Sequence, residues 1–153
     1  MHDTVVISDT SCLIALTKID KIIILHQMYE EVIVTEEIAR EFGEMLPVWM
    51  HILQVKNKKY QQLLEATLDI GESSAIALAI EMKDALLIID ETKGRKEAKR
   101  LGLRITGTLG VLLKAKQRGF VQNLKFLLDE LEIKGFRISA EVRNEILKEA
   151  NEK

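Results

Sequence analysis

The chain has 153 residues, 47% of them hydrophobic and 30% charged, with a net charge of -2 at pH 7. That length supports one compact domain with a proper core, and that composition excludes a disordered chain. No apolar stretch approaches a membrane span and the N-terminus lacks the basic-then-apolar layout of a signal peptide, so a cytoplasmic protein with no membrane partner is expected.

In chain order, Thr4 to Ser8 reads as a buried strand, and Thr10 or Ser11 is placed to cap a helix through Leu16. Asp9 stands between the two, either as a cap or as a ligand. Ile19 to Tyr29 suits a second helix and Glu31 to Val34 a short β-branched strand. Thr35 then opens "TEEIAREF", whose acids lie in the first turn, where the helix dipole favours them. A weak strand over Ile52 to Val55 precedes a helix from Asn57 to Leu68. "GESSAIALAIEM" sets Ala75, Ile76, Ala79 and Ile80 on one helical face. "ALLII", residues 85–89, is a continuous apolar strand ended by Asp90, and a basic helix follows to Leu101. Residues 103–105 form a short strand, and Thr108 caps a helix to about Arg118. Two amphipathic helices fill Asn123 to Ile133 and Ser139 to Asn151, the last with Val142, Ile146 and Ala150 as its apolar stripe.

Alternating strands and helices make the class α/β, and runs such as "ALLII" indicate a parallel sheet covered on both faces. Ligands of such sheets bind at the carboxyl ends of the strands, where Asp9 and Asp90 both fall. Glu36, Glu37, Glu41, Glu72 and Glu91 lie at strand ends or on the helices that follow, with Glu37 and Glu41 on one face. Each acid taken singly reads as a cap, a dipole partner or a solvated side chain. Gathered in one crevice they would repel unless a positive charge sat between them. Oxygen ligands without His or Cys indicate Mg²⁺ or Mn²⁺, and such clusters suit phosphodiester hydrolysis by two ions about 3.5–4 Å apart. Cys12 has no internal disulfide partner and sits among apolar neighbours, as a buried thiol does. The histidines, His2, His26 and His51, lie too far apart for zinc spacing. From Thr92 to Arg118, nine basic residues face one acid, a local charge of +8 that leaves -10 for the rest of the chain. A local field of that sign suits a polyanionic ligand.

The blocks "VVISDTSCLIAL", "VIVTEEIAREF", "GESSAIALA" and "LLIIDETKGRKEAKRLGLRITGTLGVLLKAKQRG" resemble the four blocks of a PIN domain. The likeness extends through "GFRIS", and it is strongest to a prokaryotic PIN-like subgroup akin to VapC toxins. It implies a three-layer fold with a central, mainly parallel sheet, residues 1–153 forming a single domain. Residues 1–120 would be the catalytic core, and 121–153 a helical extension packed on it. It further implies a Mg²⁺- or Mn²⁺-dependent ribonuclease, with a toxin role, a cognate antitoxin and a homodimer as family associations. Carried over residue by residue, Asp9, Glu41, Glu72 and Asp90 become the metal-holding acids, Glu91 an assistant and Glu37 a weaker alternative to Glu41. Thr10, Ser11, Lys93, Arg95 and Thr108 become substrate contacts, with a salt bridge as the equal alternative for Arg95. Glu72 departs from the Asp that many PIN nucleases carry at the third acid. A degenerate PIN module that binds RNA or a protein partner is the competing reading. A phosphatase acting through an aspartyl-phosphate ranks lower, because "DTS" lacks a second Asp two residues on.

Overall fold

The computed structural model describes residues 4–152, so His2 lies outside the described residues. Strands β1 (Val5–Ser8), β2 (Val32–Thr35), β3 (Met50–Leu53), β4 (Ala85–Ile88) and β5 (Arg104–Thr106) form one parallel sheet of order β3-β2-β1-β4-β5. Between them run α1 (Thr10–Lys18), α2 (Ile23–Tyr29), α3 (Glu36–Phe42), α4 (Lys58–Leu64), α5 (Ile70–Glu81) and α6 (Thr92–Arg100). After β5 come α7 (Thr108–Gln117), α8 (Leu124–Ile133) and α9 (Ala140–Glu149). The fold is the three-layer α/β arrangement expected for a PIN-like chain, with helices flanking a sheet that is wholly parallel.

The sheet is built from short β-branched and leucine-rich strands whose central residues are excluded from water. Ile7, Leu87, Ile88 and Ile89 are fully buried. Such strands need cover on both faces. Helix α5 supplies much of it: it packs against β2, β1 and β4, and every residue from Ser73 to Ala79 is buried. Ile80, expected on its buried face, is exposed, because the helix is nearing its end at Met82.

From β1 the chain builds outward through β2 to β3, then returns to the other side of β1 for β4 and β5. The direction therefore switches between β1 and β4, the place where open parallel sheets leave a crevice beyond the strand ends. The β1–β4 register pairs Ser8 with Ile88. One step further along each strand lie Asp9 and Ile89, so Asp9 and Asp90 emerge side by side into that crevice.

The helix starts sharpen the sequence reading. Asp9, not Thr10 or Ser11, caps α1 by accepting the N–H of Cys12. Asp69 caps α5, and Glu91 rather than Asp90 caps α6. Thr108 is the first residue of α7 rather than its cap, and its hydroxyl is engaged elsewhere. Helix α4 stops at Leu64, four residues short of the expected Leu68, and β3 begins two residues earlier than expected. At the C-terminal end, α8 and α9 pack on α7. Leu147 and Ala150 are the residues α9 brings into the core, while Val142 stays exposed. Glu152 accepts N–H groups from Leu124 and Lys125 and pairs with Lys116, which ties the chain's end to α8 and α7.

Candidate active site

Asp9 is 4% exposed, and backbone amides hold both of its carboxylate oxygens. Oδ1 accepts the Cys12 N–H at 2.9 Å, and Oδ2 accepts the Asp90 N–H at 2.8 Å. The second bond crosses from β1 to β4 and locks the two strand ends together. The Asp90 carboxylate is held in turn by Thr108, whose N–H reaches Oδ1 at 2.8 Å and whose hydroxyl donates to Oδ2 at 2.6 Å. A Cβ on Gly107 would stand 2.9 Å from Asp90 Oδ1, so the residue before Thr108 must be small for the two segments to meet.

The other two acids come from helices. Thr10 is buried and donates its hydroxyl to Glu41 Oε1 at 2.5 Å. That bond brings α3 over the start of α1. Gly71 permits it, since a Cβ there would come within 2.7 Å of the same Glu41 oxygen. Glu72 occupies the first turn of α5, with its carboxyl carbon 3.4 Å from where a Cβ on Gly94 of α6 would lie. Thr35 and Ser74 share a hydrogen bond of 2.7 Å that fixes the start of α3 against α5.

Several of the acids lie close enough for one to act on another's charge. Burial pushes Asp9 up to about 7, the neighbouring charges of Asp90 and Glu72 add to the rise, and the two backbone donors oppose it. Burial also raises Glu72 to about 7, reinforced by the charges of Asp69, Glu91 and Glu41. Among the described residues, none of Asp9, Glu41, Glu72 and Asp90 forms an ion pair. The donor set, all carboxylate with spare lone pairs, suits a hard divalent cation. In the arrangement described, however, no three of the described His, Cys, Asp or Glu residues converge closely enough to hold one.

Glu37 turns away from this group toward α4. It accepts a hydrogen bond from Gln61 at 2.8 Å and pairs with Lys58 at 3.5 Å. With Glu41, Arg40 and Asp69 it lines a cavity of about 540 Å³ beside the acids. Ser11 is exposed at the start of α1. Arg95 donates to the Ile89 carbonyl at 2.8 Å, so it buttresses the end of β4. The basic stretch is divided in the same way. Arg100 pairs with Glu97, Arg104 with Asp84, Lys116 with Glu152, and Arg118 donates to the Met28 carbonyl. Lys93, Lys96, Lys99 and Lys114 are not buried, and among the described residues they make no ion pair. Cys12 is wholly buried, and burial pushes its thiol far up, as an inert core residue.

Sequence reasoning missed Asp69. It caps α5 through the Glu72 N–H at 2.7 Å and adds negative charge beside Glu72. The Asp-x-x-Glu spacing of a capping box was the available signal.

No helix among the described residues is long and apolar enough to cross a membrane. No curated protein and no solved structure matches the chain. A family model described as a PIN domain matches residues 5–152, nearly its whole length. PIN domains are generally nucleases. By that match the chain belongs to the PIN domain family.

Proposed function

We propose that the chain is a metal-dependent endoribonuclease that hydrolyses RNA phosphodiesters, and that it acts as the toxin of a toxin–antitoxin pair, as a homodimer. The carrying observation is the set of four acids from the ends of β1 and β4 and from α3 and α5, two of them with pKa raised to about 7 and none in an ion pair among the described residues. Asp9, Glu41, Glu72 and Asp90 would hold Mg²⁺ or Mn²⁺, with Glu91 at the edge. A bound divalent ion would supply charge stabilisation and a lowered pKa for attacking water.

The chain's own residues do the positioning. Asp9 is fixed by two amides and Asp90 by Thr108, so both present their remaining lone pairs from rigid strand ends. Burial raises Glu72 to about 7, so a cation bound beside it would favour its ionised form. Thr10 orients Glu41, while exposed Ser11 and Lys93 are left to meet the strand. Incubation of structured and unstructured RNA with Mg²⁺ or Mn²⁺ tests this. Wild type is expected to cleave and Asp9→Asn to cleave far more slowly, and equal cleavage by both overturns the assignment.

One observation favours a second reading, a degenerate PIN module that binds RNA or a protein partner: no three of the described acids converge on a common point. Calorimetric titration with Mg²⁺ and Mn²⁺, with and without Asp90→Ala, separates the two. Absence of measurable binding by wild type would favour the binding module.

A further inference from the structure

A groove of about 240 Å³ opens directly beside Asp90. One wall is α1, through Ser11, Ile14 and Lys18; the other is the end of α8, through Leu131, Lys134 and Phe136. Its floor is apolar, with Ala15 and Leu131 buried, Phe136 partly buried and Ile14 partly exposed. Lys18 and Lys134 are exposed at its edges, on opposite walls, and among the described residues neither makes an ion pair.

The α8 wall is fixed rather than loose. The Phe136 N–H reaches back to the Leu131 carbonyl at 2.9 Å, and the Gly135 N–H to Glu132 at 3.0 Å. Gly135 sits at φ +97°, a left-handed turn that a glycine adopts without strain, and that turn sets Lys134 and Phe136 on the same groove. Pockets that bury a drug-sized ligand run to roughly 300–1,000 Å³. This smaller groove therefore takes one piece of a ligand whose remainder lies outside it.

We propose that the groove binds one nucleotide of a single-stranded RNA next to the bond to be cut. Its base would lie on Phe136 and Ile14, and its flanking phosphates would meet Lys18 and Lys134. Charge complementarity carries the choice of occupant. Two ammonium groups without carboxylate partners among the described residues flank an apolar floor, and the groove runs into Asp90, where cations held by the acids would meet the scissile phosphate. Base–aromatic stacking beside a basic track is the mode by which single strands are held without base reading. The inference rests on the nuclease reading for its place in catalysis, but its binding test is independent of cleavage.

The test uses the full chain in a chelator, so that no cleavage intervenes, and a short fluorescein-labelled single-stranded RNA read by anisotropy. The Lys18→Gln/Lys134→Gln double variant is expected to bind about tenfold more weakly. Its slope of log affinity against log salt should shrink by about 1.4, because each phosphate left without its ammonium partner removes about 0.7. Phe136→Leu, which keeps an apolar side chain in place, should also weaken binding about tenfold while leaving the salt slope unchanged. Thermal melts establish that the variants fold. The proposal is overturned if wild type binds no RNA, or if the double variant matches wild type in affinity and slope. It is also overturned if the substitutions abolish self-association with RNA binding intact, because the groove is then a protein contact. If Asp9→Asn cleaves like wild type while these variants lose RNA, the site assignment for cleavage falls and the groove stands.

Discussion

The four acids fall into two pairs that are held in opposite ways. Asp9 and Asp90 end adjacent parallel strands, and two backbone amides or one threonine occupy both oxygens of each carboxylate. Glu41 and Glu72 ride on α3 and α5, and among the described residues the only side-chain donor to either is the Thr10 hydroxyl on Glu41. The strand pair is therefore a frame as well as half of the proposed site: removing either Asp disturbs how β1 and β4 end. The helix pair sits on longer side chains with fewer hydrogen bonds to hold them. A site that must close on a cation can leave adjustment to its glutamates while its aspartates hold position. That division also accounts for how the acids can be crowded here without three of the described ones meeting at one point.

The largest effect is expected at the strand pair. Asp9→Asn should lower RNA cleavage by about a thousandfold, equivalent to about 4 kcal/mol of barrier, and should also lower the urea midpoint, because an amide NH2 replaces one of the two oxygens that accept backbone N–H groups. Wild-type activity in this variant would show that the strand pair is only a frame.

Next in size is the response to metal and pH. Asp9 rises from 3.8 and Glu72 from 4.5, each to about 7. Between those values the folded chain binds more protons than the unfolded one. These groups therefore lower stability progressively as pH climbs from about 4 through about 7, and their cost is constant above that. A cation that needs ionised ligands acts in the reverse sense. At pH 8, Mn²⁺ at a hundred times its dissociation constant should stabilise the fold by about 2.7 kcal/mol, and at pH 5 by far less, with a chelator reversing the gain. Urea midpoints across pH, with and without Mn²⁺, measure both. Without metal, Glu72→Gln should flatten the slope between pH 5 and 7; an unchanged slope would show that Glu72 is not held protonated there.

Most of the frame was legible in the sequence, because its signals are local. β-branched runs marked β1 and β2, "ALLII" marked β4, and Thr35, Asn57 and Ser139 announced their helices by side-chain capping. What could not be read were contacts between distant segments. Thr108 looked like a helix cap because its partner, Asp90, lies eighteen residues back, just past the end of β4. Arg95 looked equally like a phosphate contact and an anchor, and only the closeness of the Ile89 carbonyl shows what holds it. The +8 stretch read as one field, yet folding spends five of its nine cations on structural partners. Lys18 and Lys134, which line the groove beside Asp90, lie outside that stretch and are 116 residues apart.

The smallest effects give the sharpest comparison, because the same substitution can be made in both regions. Thr108→Val removes a hydroxyl from a fully buried position and leaves Asp90 Oδ2 without its donor. Asp90 is half-buried, so water replaces the lost bond only in part; the urea midpoint should fall by about 1–2 kcal/mol of stability and Thr108→Ser should restore most of it. Thr10→Val removes the matching donor from Glu41. Glu41 is exposed, so water replaces the missing bond and stability should fall by only about 0.5–1 kcal/mol. The second change should nonetheless weaken Mn²⁺ binding, since the hydroxyl that aims Glu41 is gone. Equal losses of stability at the two threonines would mean that Glu41 is as rigidly framed as Asp90, and the division between fixed aspartates and adjustable glutamates would fail.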